Sequence, residues 1–296
     1  MRNNINTEVK KLIEEQLQEW PLAHQNYDAL KTVRTKEFDF GQFSIRVQFN
    51  PARIQSSAAK VDSKSIQERK CFLCPANLPA EQRGIPFGKD YLILVNPFPI
   101  FPLHLTIPSE KHTDQLIADR YEDMLDLAGV LEDFVVFYNG PKCGASAPDH
   151  VHFQAGNKGF LPLEKDIKTV SKNIISQNDW IKIYSLENYL RNIIVLESEH
   201  KSELVKAFNN IYSQMPIKEG EKEPMMNIVS WYENGNYISC IFPREVHRPK
   251  CFFAEGDKNI LLSPASVDMG GVFITPREED FEKITKEDIK EILKEV

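Results

Sequence analysis

The sequence of 296 residues contains no long apolar run and few cysteines. Its densest apolar stretch, Tyr91–Val95, is far too short to cross a bilayer, and the amino-terminal residues lack the apolar segment of a signal peptide. These features predict a cytoplasmic protein that has no membrane partner. The five cysteines are an odd number, so in a reducing compartment we expect metal ligands or core residues rather than a disulfide set.

Basic residues are outnumbered by acidic ones: the sequence has 36 lysines and arginines and 43 aspartates and glutamates, which gives a net charge of −7. This balance argues against a sequence-independent nucleic-acid binder, which needs a basic surface to release counterions. The content of 42% apolar and 27% charged residues is that of an ordinary globular protein, so disorder, collagen and coiled coil are not expected. The length corresponds to one or two domains with a core that needs no disulfides.

The order of helix and strand patterns predicts an α+β fold. Apolar residues at helical spacing predict helices at 8–20, ended by Pro21, at 113–131, capped by Thr113, at 204–212 and from about 277. Strands are predicted at 43–49, 91–95, 103–107, 134–138, 227–231 and 237–242, with shorter ones near Cys251, Ile260 and Val272. The polar residues 55–70 are predicted to form a loop, and the charged residues 218–223 a solvated loop. Few strand pairs are joined by the helices that a parallel sheet needs, so we expect mostly antiparallel sheet in two halves.

The densest group of reactive side chains is Asp149–Gln154, which follows Gly144-Ala145-Ser146. In an extended segment His150, His152 and Gln154 would share one face. The glycine-containing loop leaves backbone N–H groups that can hold an anion, and an imidazole whose other nitrogen is hydrogen-bonded can act as a nucleophile. The pattern favours attack on a phosphate. The alternative is a pair of core or surface histidines beside a turn.

A second group begins with Cys71-x-x-Cys74, a spacing at which two thiolates can chelate one tetrahedral metal ion. The ion would need two more ligands, and His112 and His150 are the candidates. Such a site would join three separate segments of the chain. The alternative is a redox pair or two buried cysteines, and His104 is a rival third ligand that could instead face a pocket.

A basic cluster in the second part of the chain is a candidate for binding a second anion. It consists of Arg244, His247, Arg248 and Lys250. Cations placed there would stabilise charge on a phosphate, although a solvated basic turn is an equal alternative. Arg53 is a weaker candidate. The remaining cysteines have no partner pattern and are predicted to pack in the core: Cys143, Cys240 and Cys251.

The stretch Cys71–Gln154 resembles the superfamily of histidine-triad proteins and galactose-1-phosphate uridylyltransferases. Its members share a strand ending in Asn-x-Phe-Pro, matched by Asn96–Pro99, and then a turn with a histidine, matched by Ile107–His112. An Asn/Gly loop and H-x-H-x-H or H-x-H-x-Q follow, matched by Phe137–Gln154. This region is most similar to the diadenosine tetraphosphate phosphorylase (ATP adenylyltransferase) branch. The later segments resemble the C-terminal half of that branch and of the GDP-hexose phosphorylases: Asn227–Trp231, Cys240–Arg244 and Ser263–Ser266.

The resemblance implies a role for each matched residue. His152, the second histidine of H-x-H-x-Q, would be the nucleophile that takes a nucleoside monophosphate, and Gln154 would bind its phosphate. A glutamine at this position accompanies transfer, whereas a third histidine accompanies hydrolysis. The substrate-binding residues would be Asn96 and Asn139, near the ribose or phosphates, and Gly144 and Ser146, around the phosphate.

The resemblance also implies a structural zinc ion. In the uridylyltransferases the positions of Cys71, Cys74, His112 and His150 bind that ion, whereas typical phosphorylases lack the set. The sequence therefore mixes traits of two branches. Asp149 stands as one extra residue between Gly-Ala-Ser and the first histidine.

Together, these features predict two histidine-triad-like halves: an extension at 1–65, a half with H-x-H-x-Q at 66–165 and a completing half at 166–296. The expected activity is nucleotidyl transfer or phosphorolysis of a nucleotide sugar or dinucleoside polyphosphate through a covalent nucleotidyl-histidine. Phosphate or a sugar phosphate would be the acceptor, and structural Zn²⁺ the only cofactor. A hydrolase of the same fold and a zinc-stabilised, non-catalytic nucleotide-binding module are the rival interpretations.

Overall fold

The computed structural model describes residues 2–54 and 62–296, which form ten helices and thirteen strands. The helices are α1 (Arg2–Glu19), α2 (Pro21–Leu30), α3 (Ser63–Glu68), α4 (Tyr121–Val130), α5 (Leu163–Thr169), α6 (Lys201–Gln214), α7 (Lys250–Phe253), α8 (Ser266–Met269), α9 (Glu278–Lys283) and α10 (Lys286–Glu295). The strands are β1 (Arg34–Asp39), β2 (Ser44–Phe49), β3 (Gly84–Phe87), β4 (Tyr91–Val95), β5 (His104–Pro108), β6 (Phe134–Asn139), β7 (His152–Asn157), β8 (Lys172–Gln177), β9 (Lys182–Leu186), β10 (Ile194–Ser198), β11 (Met226–Glu233), β12 (Asn236–Pro243) and β13 (Val272–Thr275). None of the helices in these ranges is both long and apolar enough to span a membrane.

Ten strands form one antiparallel sheet in the order β3-β4-β5-β7-β6-β11-β12-β10-β9-β8. At its centre β6 pairs with β11, and Asn139 lies opposite Asn227. A small sheet contains β1, β2 and β13, with β2 and β13 parallel. The predicted α+β fold with mostly antiparallel strands is confirmed.

The large sheet consists of two halves with the same topology. Strands β3–β7 form one half and β8–β12 the other, and each half has the spatial order first, second, third, fifth, fourth. In each half a helix joins the third strand to the fourth, α4 in one and α6 in the other. These helices pack together, because the rings of Tyr121 and Phe208 stack with centroids 3.8 Å apart. The two-half architecture predicted from the sequence is present, whereas the domain boundaries at 65/66 and 165/166 stay predictions.

Two apolar layers cover the faces of the large sheet. On one face α1, α4 and α6 bury residues such as Leu12, Met124 and Phe208. On the other face the small sheet, α5, α9 and α10 bury residues such as Val47 and Ile289. Burying apolar side chains on both faces is what makes this large sheet stable.

The helix limits differ from those predicted at two places. The first helix ends at Glu19, and Pro21 begins the second helix, α2. Proline is tolerated there because the N–H group that it lacks would have no intrahelical partner in the first turn. Thr113 does not cap a helix, which begins at Tyr121 instead. The carbonyl of Thr113 accepts the Val151 N–H at 2.7 Å, so this segment serves the candidate site.

Two strand predictions and two loop predictions also need correction. Cys251 lies in the short helix α7 and Ile260 in an irregular segment, so neither belongs to a strand. Of the predicted loop 55–70, residues 55–61 lie outside the described residues and 63–68 form α3. In the predicted solvated loop 218–223, Glu223 is only 3% exposed.

The hairpin prediction at 227–242 is confirmed, since Asn234 and Gly235 both have positive φ, at 51° and 88°.

Candidate active site and metal centre

A cavity of about 470 Å³ lies between the first half of the large sheet and the segments that follow β2 and precede β13. Its size is in the range of small-molecule sites. Seven candidate residues from the sequence line it: Arg53, Asn96, Asn139, Gly144, Ser146, His152 and Gln154. Part of the wall is apolar and includes Trp20, Phe72 and Phe98.

The His152 imidazole is held in one tautomer. Its Nδ1 lies 2.8 Å from the carbonyl oxygen of His150. Because a carbonyl only accepts, Nδ1 carries the proton, and Nε2 keeps its lone pair. Burial lowers the pKa of His152 to about 4, so the ring is neutral at pH 7. A neutral imidazole with a free lone pair has the chemistry of a nucleophile.

The Gln154 amide is oriented by His104. The Ile100 N–H donates to Nδ1 of His104 at 3.1 Å, so the imidazole proton is on Nε2. That Nε2–H lies 3.2 Å from Oε1 of Gln154 and donates to it. The amide NH₂ of Gln154 is therefore the group that this side chain can offer to a ligand in the cavity. His104 contacts Gln154 and stands apart from the cysteines, so it is not a third metal ligand here.

Asn139 is oriented in a similar way. Its Oδ1 accepts hydrogen bonds from Nδ2 of Asn227 at 3.0 Å and from the Ser266 N–H at 2.8 Å. The side chain can therefore offer its NH₂ group to a ligand. The neighbouring loop approaches the second half closely at Gly144, which has φ +93° and where a Cβ would lie 2.4 Å from the Ala265 Cβ. Only glycine fits this position.

The four predicted metal ligands come together in space. The ligand atoms of Cys71, Cys74, His112 and His150 all lie within 4.8 Å of one another. Sγ of Cys71 is 3.3 Å from Nδ1 of His150, and Sγ of Cys74 is 3.2 Å from Nδ1 of His112. Two thiols and two imidazoles at these separations match a tetrahedral metal site. The cluster could hold a metal ion.

One histidine of the cluster is held through its outer nitrogen. Nε2 of His150 lies 2.7 Å from the Ser109 carbonyl and so carries the proton, which leaves the Nδ1 lone pair facing the thiols, as outer partners arrange in metal sites. Nε2 of His112 lies 3.6 Å from an oxygen of Asp149, which places a carboxylate beside this ring but beyond hydrogen-bond distance. Asp149 is itself bound by Arg69 at 3.1 Å. The extra residue in the sequence motif thus supports the cluster.

His150 does not share a face with His152. Strand β7 begins at His152, so His150 lies in the preceding turn and its ring reaches the cysteines. The alternation predicted for these residues holds only for His152 and Gln154, which both line the cavity. The His150 backbone still serves the site, because its carbonyl holds His152.

Gln115 is a functional neighbour that the sequence did not reveal. Its Oε1 accepts the His152 N–H at 2.7 Å, and its Nε2 donates to the carbonyls of His152 and Asn139 at 3.0 Å each. The fully buried amide thus joins the end of β6 to the start of β7. No motif marks it, since its partners are backbone groups brought close by the fold.

Glu223 is a second buried group that the sequence did not reveal. Its carboxylate accepts the Ile117 N–H at 2.8 Å and the Tyr138 hydroxyl, which also contacts the Gln115 carbonyl. Burial raises the pKa of Glu223 to about 7. The second half thereby contacts the segment that positions His152.

The predicted basic cluster does not line the cavity. Arg244 is buried, and its five N–H groups donate to Val296 O, Asn227 Oδ1, Pro264 O, Val246 O and His247 O. Lys250 is exposed beside Glu295, and Nε of Arg248 donates to Oγ of Ser263, which lines the cavity. Burial lowers the pKa of His247 to about 4. The cations that line the cavity in the described part of the chain are Arg53 and Arg69.

Two family models match the chain. The domain of unknown function DUF4922 matches residues 12–157, and the GDPGP1-like, C-terminal domain matches residues 165–296. No relative was found among the curated proteins.

Solved structures with a similar fold include crystal structures of yeast Ap4A phosphorylase Apa2. One is 17% identical, with 97% of this chain and 93% of that chain covered and a TM-score of 0.60. Its complexes with AMP and with Ap4A are 16% identical, cover 97% of this chain and 94% and 95% of theirs, and give TM-scores of 0.62 and 0.63. At this identity the similarity shows a shared fold. Together with the two family models, it confirms the resemblance of this chain to the superfamily of galactose-1-phosphate uridylyltransferases and histidine-triad proteins and to its Ap4A phosphorylase and GDP-hexose phosphorylase branch.

Proposed function

We propose that this protein is a phosphorylase-type nucleotidyltransferase in which His152 takes a nucleoside monophosphate from a nucleotide sugar or a dinucleoside polyphosphate. One observation carries the proposal: a neutral imidazole whose Nε2 keeps a lone pair lines the same cavity as the oriented NH₂ groups of Gln154 and Asn139. A nucleophile surrounded by hydrogen-bond donors suits attack on an anionic phosphorus centre.

The reaction would proceed in two displacements. Nε2 of His152 attacks the α-phosphorus, the N–P bond forms, and the P–O bond to the phosphorylated leaving group breaks with its electron pair. The imidazole gains positive charge, which the His150 carbonyl stabilises through the Nδ1–H. An oxygen of phosphate or of a sugar phosphate then attacks the same phosphorus, and the electrons of the N–P bond return to Nε2.

Gln154 favours transfer over hydrolysis. An amide donates hydrogen bonds to the phosphoryl oxygens but cannot take a proton from water at neutral pH, whereas a histidine can. The similarity to a phosphorylase that has been crystallised with AMP and with Ap4A, and to the GDPGP1-like domain, supports a nucleotide substrate and nucleotide-processing activity.

We also propose that the cluster of Cys71, Cys74, His112 and His150 binds structural Zn²⁺. Zinc suits a set of two thiolates and two imidazoles, and it would add folding free energy. Holding His150 also fixes the carbonyl that sets the tautomer of His152. The metal site would therefore support the nucleophile without contacting the substrate.

A nucleotide panel scored by intact-protein mass tests the proposal. We expect one substrate to add the mass of a nucleoside monophosphate to the wild type, as an acid-labile and base-stable adduct. His152→Gly should give no adduct, yet bind the nucleotide and use a nucleoside phosphoimidazolide in the second half-reaction. An adduct that persists in His152→Gly would place the nucleophile elsewhere. Turnover without phosphate or sugar phosphate would identify the hydrolase, and a wild type that forms no adduct with any nucleotide would support the non-catalytic module.

A further inference from the structure

Arg53 is a half-buried cation that faces the cavity. It follows β2 in a short helical turn, and its Nη1–H donates to the Phe98 carbonyl at 2.7 Å. The guanidinium has five N–H groups, and within residues 2–54 and 62–296 this is its one hydrogen bond to the protein. Burial lowers the pKa of Arg53 to about 10, so the side chain stays charged at pH 7.

No carboxylate in the described ranges forms an ion pair with Arg53. Asp268 also lines the cavity, but its oxygens accept the N–H groups of Ala265 and Ile274, at 2.9 Å and 3.2 Å. Asp268 thus attracts the Arg53 charge through space without forming an ion pair with it. The guanidinium keeps N–H groups that suit an anion arriving with the ligand.

The other cations near the cavity are paired with protein groups. Nη2 of Arg69 contacts Ser146 O and Asp149, and although its Nε has no hydrogen-bond partner in the described ranges, Asp149 supplies its counter-charge. All five N–H groups of Arg244 are used. Arg53 and Gln154 line the same cavity, and the Arg53 charge also contributes to lowering the pKa of His104, which orients the Gln154 amide.

We propose that Arg53 binds the phosphate group that leaves in the first displacement and the phosphate group that attacks in the second. The inference rests on the proposed function. In a double displacement both groups occupy the position opposite Nε2 of His152, so one cation can serve both. Arg53 approaches the cavity from the layer that covers the large sheet, whereas His152 lies on the sheet itself. The ligand class is a phosphate dianion, either inorganic phosphate or the phosphate of a sugar phosphate.

The test measures each half-reaction separately with wild type, Arg53→Gln and Arg53→Lys. We expect discharge of the nucleotidyl adduct at low phosphate to slow by about 10²–10³-fold in Arg53→Gln. Arg53→Lys should recover part of the loss, and discharge by water should stay unchanged in both. Running the second half-reaction with inorganic phosphate and with hexose 1-phosphates shows which source supplies the dianion. Arg34→Gln is the matched control, because Arg34 is an exposed arginine of the adjoining small sheet that pairs with Glu278 and Glu282.

Equal discharge rates by every phosphate acceptor in wild type and Arg53→Gln would overturn the inference while leaving the proposed function intact. If the wild type forms no adduct, the proposed function fails, and calorimetric titration with inorganic phosphate tests Arg53 directly. In that case weaker binding to Arg53→Gln than to Arg34→Gln supports the subsite, and equal or absent binding in all proteins rejects it. Thermal unfolding of each variant shows whether a loss comes from misfolding, and Arg53→Lys retains the charge if Arg53→Gln does not fold.

Discussion

The same strand carries different chemistry in the two halves of the large sheet. Facing the small-sheet layer, β7 of the first half presents His152 and Gln154 to a cavity. The corresponding strand of the second half, β12, presents Ile238, Cys240 and Phe242 to the apolar core. Polar side chains leave room for a ligand in the first half, whereas apolar side chains fill the equivalent space in the second. One topology thus supports a site in one half and a solid core in the other.

The connections between the fourth and fifth strands differ in the same way. In the second half, Asn234 and Gly235 make a tight turn between β11 and β12. In the first half, residues 140–151 separate β6 from β7 and contain Gly144, Ser146 and His150. In the proposed function, the longer connection would supply both a phosphate-binding loop and a metal ligand. The proposed activity would therefore depend on this insertion and on two strand residues rather than on the fold itself.

Removing one side chain from each of these two strands should have opposite effects on activity and stability. His152→Ala should reduce transfer by at least about 10⁴-fold, because the covalent step is lost, with little change in Tm. Cys240→Ala should keep transfer but lower stability by roughly 1 kcal/mol, since it opens a small cavity in the core. Adduct mass and thermal unfolding check both variants. Loss of transfer in Cys240→Ala at a temperature where it is folded would contradict the division of roles.

The candidate metal cluster is a second difference between the two halves, because its residues lie in the first half and in the segment just before β3. Cys74→Ser should lose the metal and several kcal/mol of stability, on the order of 10 °C in Tm. Cys251→Ser is the control, as Cys251 is a half-buried cysteine in α7 outside the cluster. Elemental analysis should give about one zinc per chain for wild type and Cys251→Ser. Metal-free wild type of unchanged Tm would reject the site.

Short-range patterns in the sequence predicted two parts of the candidate site. Strand alternation placed His152 and Gln154 together, and cysteine spacing with two histidines predicted the cluster that the structure assembles. The hairpin at Asn234-Gly235 was equally predictable, because few residue types adopt the positive φ that a tight turn requires.

Long-range packing explains what the sequence did not reveal. Gln115 and Glu223 act through backbone groups and a tyrosine that lie far away in sequence, so neither forms a motif. Arg244 looked like an anion-binding residue, yet the fold surrounds it with carbonyl oxygens. The sequence gives only a weak sign of Arg53, because the half-buried, cavity-facing position of this residue depends on how the small sheet packs.

Glu223 links the halves, and its protonation should make that link depend on pH. Its pKa is raised from 4.5 to about 7, so this residue's contribution to stability is present below pH 4.5 and is lost as the pH rises through 7. Relative to Glu223→Gln, which cannot ionise, wild type should lose up to about 3 kcal/mol between pH 4.5 and 8. Denaturant unfolding of both proteins across this range measures the difference. A stability difference that stays constant with pH would show that Glu223 does not titrate in this window.

The smallest expected effect concerns His104, which orients an amide in the first half. His104→Phe keeps a ring beside Phe101 and Phe137 but cannot donate to Gln154. The amide would then rotate freely. We expect kcat for transfer to fall by about 10-fold, which corresponds to the loss of about one hydrogen bond, and KM to change less.

A double-mutant cycle with Gln154→Ala distinguishes positioning from general damage to the core. If His104 acts through Gln154, adding His104→Phe to Gln154→Ala should reduce kcat little further, because the amide that it orients is already gone. If the two effects on kcat simply multiply, His104 has a separate role, and the hydrogen bond from its Nε2 to Gln154 is not what the reaction requires. Unfolding curves of all four proteins supply the second readout, since removing the Ile100 N–H acceptor should lower stability equally with and without the Gln154 amide.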